Sequence, residues 1–166
     1  MSRAEARLKR RRESPKGTGM SVADTAAPAQ DSVWRCPKCN RAFRRTRQPH
    51  SCRTVSLESH LRHGEQRAHF EHLVDEVNSK VGRCEVLSLP CCIHLVGKFD
   101  FLAVLAKKER LEIRFVLKRE LASSRVQRSA RISKTQYKHC VDIQAAEDID
   151  EELLSWVREA YYLERR

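Results

Sequence analysis

From Phe70 onward, apolar residues recur at Phe70, Leu73, Val74, Val77 and Val81, the spacing of one helical face, and Gly82 follows as a stop. The pattern then shortens. Apolar segments at Val86–Leu89, Ile93–Val96, Phe99–Ala106 and Leu111–Leu117 are separated by Pro90, by Gly97-Lys98 and by the charged stretch Lys107–Arg110, which predicts antiparallel strands joined by short turns in a meander. Leu111, Ile113, Phe115 and Leu117 alternate with Glu112, Arg114, Val116 and Lys118, so this strand buries one face and offers the other to charge. A further short strand is expected at His139–Ile143. Asp148-Ile149-Asp150-Glu151 then resembles an acidic helix start, after which Ile149, Leu153, Trp156, Val157 and Ala160 share one helical face.

The chain has 166 residues, enough for one main domain and a small appendage. Residues 1–30 contain no Phe, Trp, Tyr, Ile or Cys and include Pro15, Gly17, Gly19 and Pro28, so they supply nothing that would repay the entropy of ordering. They are expected to form a disordered basic tail, and Met20 is an alternative start. The division is therefore a tail at 1–30, a metal knuckle at 31–55 and an α+β domain at 56–166. The predicted fold class is α+β: a small N-terminal zinc knuckle, a helix, an antiparallel β-meander of four to five strands and a C-terminal helix.

The knuckle rests on Cys36-Pro37-Lys38-Cys39 followed, ten residues on, by His50-Ser51-Cys52. A C-x2-C turn sets two thiolates on one side of a small ion, and Zn2+ accepts a tetrahedral Cys3His set. The segment's few large apolar residues, chiefly Trp34 and Phe43, leave its folding to the ion, which makes the zinc site of Cys36, Cys39, His50 and Cys52 structural. His60 and His63 are alternatives to His50 as the fourth ligand. A redox reading of the C-x2-C pair is disfavoured because no βαβ pattern surrounds it. His69 and His72 sit three apart on the predicted helix without a third ligand. Cys84, Cys91, Cys92 and Cys140 fall in or beside apolar strands and read as small buried hydrophobes, with redox sensitivity of the vicinal Cys91-Cys92 pair as the lesser alternative. His139 is expected to titrate near neutrality, with no nucleophile or carboxylate beside it in sequence.

These residues also carry a resemblance. Trp34-x-Cys36-Pro37-x-Cys39-x-Arg41-x-Phe43 and Gln48-x-His50-Ser51-Cys52 resemble the zinc-knuckle start of the bacterial domain of unknown function 5655 family. Phe99-x-Phe101-x-x-Val104, the run Leu111–Leu117, and Asp148–Glu152 through Trp156 to Tyr161 resemble the same family's strands and closing helix, so the likeness spans Trp34 to Tyr161. It implies a helix, an antiparallel sheet and a closing helix, and no established activity. Cys91-Cys92 departs from the family pattern, which carries Lys or Thr before the second strand. At the level of fold alone the chain is similar to small bacterial double-wing DNA-binding domains.

Charge narrows the function classes. Lys and Arg number 33 against 22 Asp and Glu, a net +11, with residues 101–146 at 11 basic to 4 acidic and residues 147–166 reversed at 3 to 7. No apolar run reaches the roughly 18 residues of a membrane span, and no signal-peptide pattern precedes the knuckle, which points to a reducing cytoplasm and no membrane partner. The leading expectation is a non-enzymatic nucleic-acid-binding accessory protein, with Arg41, Arg44, Arg45 and Arg47 presented to DNA or RNA phosphates. Lys107, Lys108, Arg110, Arg125, Arg128, Arg131 and Lys134 would extend that surface. Ten aromatic residues are too few for extensive base stacking. The alternative is a protein-protein interaction module whose acidic C-terminal helix meets a basic partner or folds back on the basic region. Five glycines, no phosphate loop, no nucleophile elbow and no open metal triad in the sequence argue against an enzyme.

Overall fold

The periodic segments form the helices and strands of a computed structural model that describes residues 33–43 and 45–163. The expected tail at 1–30, and Arg44, lie outside the described residues. Two very short strands, β1 (Trp34–Arg35) and β2 (Ala42–Phe43), pair antiparallel, with Trp34 opposite Phe43. After a 3-10 turn at Leu57–Ser59 comes α1 (Gly64–Lys80). Six strands follow: β3 (Glu85–Ser88), β4 (Ile93–Val96), β5 (Asp100–Ala106), β6 (Leu111–Leu117), β7 (Val126–Ser133) and β8 (Gln136–Ile143). The chain then enters α2 (Glu151–Tyr161). No helix among the described residues is long and apolar enough to cross a membrane.

The class is α+β, with one sheet ordered β3-β4-β5-β6-β8-β7 and every neighbouring pair antiparallel. Its core is the alternation already visible in β6: Leu111, Ile113, Phe115 and Leu117 are buried against Phe70, Leu73 and Val77 of α1 and Leu153, Trp156 and Val157 of α2. Burying Leu153, Leu154 and Val157, each at 0% exposure, contributes about 1.5–3 kcal/mol per side chain. Asp150 caps α2, its Oδ1 accepting from the Leu153 N–H at 2.9 Å. Asp148 serves a separate turn, accepting from the N–H groups of Gln144 and Ala145 at 2.7 and 3.0 Å.

The sheet has six strands rather than four or five, and its last two leave the meander. β7, Val-Gln-Arg-Ser-Ala-Arg-Ile-Ser, contains no buried residue, so hydrophobic alternation could not reveal it. It forms by hairpin pairing with β8, from Ser133 opposite Gln136 to Val126 opposite Val141, and this pairing also extends β8 back from His139 to the polar Gln136. β7 lies outside β8 because the Lys118–Arg125 connection is pinned where it crosses. The Leu121 N–H donates to His139 Nε2 at 3.1 Å, and Arg125 Nη1 bonds both Asp150 oxygens at 2.7 and 2.8 Å.

His139 is thereby a core residue and not a neutral-pH titrant. Its ring is fully buried, stacked 5.7 Å from Phe115, and burial pushes its pKa below the usual histidine range. With Nε2 accepting, the neutral ring carries its proton on Nδ1, which has no hydrogen-bond partner. Gly82 also has a reason other than a left-handed stop, since no described glycine has positive φ. A Cβ at Gly82 or Gly97 would lie 2.8 or 2.7 Å from the Tyr161 ring, so the two glycines admit that ring between α1's end and the β4–β5 turn.

Candidate metal centre

The β1–β2 pair brings its two flanking segments together, and the turn between the strands makes the first half of the site. Cys36 N–H donates to Arg41 O at 3.0 Å, Asn40 N–H to Cys36 O at 2.8 Å, and Lys38 N–H to Cys36 Sγ at 3.4 Å. Asn40 closes this turn with φ of 55°, a left-handed conformation that Asn tolerates better than most residues. The chain then returns so that His50 and Cys52 face the turn.

The four donor atoms of Cys36, Cys39, His50 and Cys52 lie within 4.8 Å of one another. Cys36 Sγ is 3.7 Å from Cys52 Sγ, while His50 Nε2 is 3.5 Å from Cys39 Sγ and 3.3 Å from Cys52 Sγ. A tetrahedral ion with bonds of about 2.3 Å to sulfur and about 2.0 Å to nitrogen has edges of about 3.8 Å (S–S) and about 3.5 Å (S–N). The set fits such an ion and can hold one. His50 Nδ1 donates to Gln48 O at 2.7 Å, which leaves Nε2 as the free donor pair facing the sulfurs. His60, the alternative ligand, is engaged elsewhere with Nε2 2.7 Å from Leu89 O, and neither it nor His63 joins the cluster.

Electrostatics inside the cluster are uneven. Desolvation raises the Cys39 thiol, but hydrogen bonds from the Arg41 backbone and guanidinium outweigh it and bring its pKa down to about 6. At Cys52, desolvation and the neighbouring Cys36 and Cys39 act together and push it up to about 11. The Gln48 carbonyl raises His50. A bound cation favours the deprotonated form of all four groups.

Arg41, half-buried, makes its contacts inside the site. Its Nε donates to Cys39 Sγ at 3.3 Å, its Nη2 bonds Ser51 O, and its guanidinium lies over the Phe43 ring at 5.6 Å. It braces the two halves of the site. Phe43 in turn lies 4.2 Å from the His50 ring, with Trp34 at 5.8 Å from Phe43, so three rings stand where a larger domain would have a core. Arg45 and Arg47 are exposed beside the site. The tandem of knuckle and sheet is joined by the Val55 N–H, which donates to Ser88 O at 3.0 Å.

Three of the seven basic residues expected to extend the surface, Arg110, Arg125 and Arg128, face acids. Arg110 pairs with Asp142 at 2.9 Å, and Arg128 reaches Glu112 at 4.0 Å. Arg125 holds Asp150 and Glu152 at the start of α2, and Arg131 donates to the Ser133 and Lys134 carbonyls. Lys108 remains exposed, with Glu109 3.8 Å away.

Fold and site together define a class: an α+β domain of two helices on an antiparallel sheet, preceded by a Cys/His knuckle that can hold a metal ion. Residues 60–164 match the family described as domain of unknown function (DUF5655), and the chain belongs to that family. The match begins after the knuckle, so Cys36–Cys52 lies outside the matched part. No curated protein and no solved structure matches the chain.

Proposed function

We propose that this is a non-enzymatic, zinc-binding nucleic-acid accessory protein whose knuckle is both the zinc site and the phosphate-contacting surface. Zn2+ is the ion favoured by three thiolates and one imidazole in a closed tetrahedral set, and four protein ligands leave no position for a reacting water. The ion's work is to hold the turn and the His50–Cys52 return in place. A reducing cytoplasm keeps the ligands available as thiols.

The observation that carries the phosphate reading is the charge of the knuckle. Between Ser32 and Leu57 there are seven Lys and Arg and no Asp or Glu. Three thiolates on Zn2+ add only −1, so the segment stays strongly positive. Arg45 and Arg47 are exposed and belong to none of the ion pairs among the described residues, whereas the sheet's Arg110, Arg125 and Arg128 face carboxylates. Arg44 adjoins them in sequence. The other reading has an acidic α2 that meets a basic partner or folds back on the basic region; Asp150, Glu152 and Glu159 pair with Arg125 and Arg119 of this chain, which accords with folding back and leaves fewer acids for a partner.

The test is fluorescence anisotropy of labelled duplex and single-stranded oligonucleotides across a salt series. Binding is expected to weaken steeply with salt, with a slope of about −0.9 per phosphate neutralised on duplex DNA. Arg45→Ala with Arg47→Ala should flatten that slope by about 2. No binding at low salt, or an unchanged slope in the double variant, removes the knuckle as a nucleic-acid surface.

A further inference from the structure

The turn Leu89–Cys92 between β3 and β4 gathers a second set of donors. Cys92 and His94 are two residues apart on extended chain, so their side chains leave on one face of the sheet. Cys92 Sγ lies 3.1 Å from His94 Nε2, Cys91 Sγ lies 3.3 Å from Cys92 Sγ, and the three donor atoms fall within 4.8 Å of one another. Cys92 is buried, as its sequence context suggested, but Cys91 is exposed and is not apolar filler. Across the ring, His94 Nδ1 donates to Asp100 Oδ2 at 2.6 Å.

Asp100 reaches His94 through a β-bulge. Leu95 pairs with Leu102, but the next pair is Val96 with Asp100, which makes Phe101 the extra residue. In a regular ladder Phe101 would oppose Val96 and share the face of His94, and Asp100 would turn toward the helices. The bulge exchanges them: Phe101 packs edge-on against Tyr161 of α2 at 5.0 Å, and the Asp100 carboxylate comes to the His94 side.

We propose that Cys91, Cys92 and His94 form a second metal site, separate from the knuckle, that takes a thiophilic cation such as Zn2+ on three protein ligands with its fourth position open. Two thiolates and an imidazole select such an ion over Mg2+ or Ca2+. Asp100 supplies the outer carboxylate that ligating histidines characteristically carry, fixing the ring so that Nε2 faces the metal. The Cys92–His94 and Cys91–Cys92 separations of 3.1 and 3.3 Å are about 0.4 and 0.5 Å shorter than tetrahedral edges, and Cys91, exposed on its turn, has room to swing outward. Two thiolates neutralise Zn2+, whereas the closed knuckle site carries −1. An open Cys2His site permits an exchangeable fourth ligand, which the closed knuckle set does not.

The experiment is zinc stoichiometry of the full, fully reduced chain by mass spectrometry of the metal, backed by Co2+ spectra. Two equivalents are expected in the native chain, with one lost in Cys91→Ser/His94→Gln and the other lost in Cys36→Ser/Cys39→Ser. Asp100→Ala, a change at an exposed position, should weaken the second equivalent 10–100-fold and leave the first unchanged. A single equivalent that survives Cys91→Ser/His94→Gln overturns the site; a single equivalent that is lost there overturns the knuckle instead. Unchanged affinity in Asp100→Ala overturns the role given to Asp100.

Discussion

The knuckle and the sheet domain each contain antiparallel strand pairs, yet they are held by different forces. Among the described residues from 33 to 57 only Cys36 is buried, and the apolar contribution is the ring group of Trp34, Phe43 and His50. From Leu61 to Ala160 one continuous cluster of buried aliphatic and aromatic side chains joins both helices to the sheet. Two-residue strands bury too little to offset the entropy of ordering them; an ion, which the four donors can hold, would supply what the first region lacks, while the second rests on area removed from water. The Val55–Ser88 bond connects regions with separate sources of stability.

The largest break in that comparison is metal removal. Cys39→Ser, or chelation, should withdraw binding free energy on the order of 10 kcal/mol from the knuckle. Amide NMR should then show residues 33–57 losing their dispersed signals while those of β4, β5, β6 and α2 stay in place. A cooperative collapse of both regions would mean that they form one folding unit. The converse change is Phe115→Ala, which empties the centre of the core between His139 and Trp156 and should cost about 3–5 kcal/mol by urea unfolding. A metal ion bound at Cys36, Cys39, His50 and Cys52 should be retained below the urea transition.

The smallest effect is in pH. The unfolded chain's histidine takes up a proton near about 6.5, whereas the buried His139 ring resists it, so the unfolded state binds more protons below that point. Stability present at pH 7 is therefore lost as the pH falls from about 6.5, by up to about 1.4 kcal/mol per unit. Arg119, Glu120 and Glu159 also bear on this ring. His139→Leu leaves the Leu121 N–H without its acceptor and is less stable at every pH, but its urea midpoint should change less between pH 7 and 5 than that of the native chain. An equal acid loss in the variant would place the sensitivity outside the core.

Much of this was legible before the structure. Helices and strands that bury one face announce themselves by period, which is why α1, β4, β6 and α2 lie where the apolar residues placed them. The four knuckle donors were legible because coordination demands particular residue types at short spacing. β7 was not, because an edge strand with no buried side chain leaves no hydrophobic trace, and its turn at Lys134-Thr135 lacks the Gly or Asn that marks many hairpins. The bracing contacts of Arg41 were hidden for another reason: the residue type does not reveal its partners, and only the fold sets it against Cys39 and Ser51.

The sequence by itself determined the α+β class, the buried faces and the chemistry of the Cys36–Cys52 ligand set, all of which depend on local spacing. Tertiary structure alone decided that Arg125 closes on Asp150 while Arg45 and Arg47 stand exposed, that His139 is buried and neutral, and that a one-residue bulge sets Asp100 behind His94. Those outcomes depend on register and on contacts between segments far apart in the chain, where a shift of one residue reverses which face a side chain occupies.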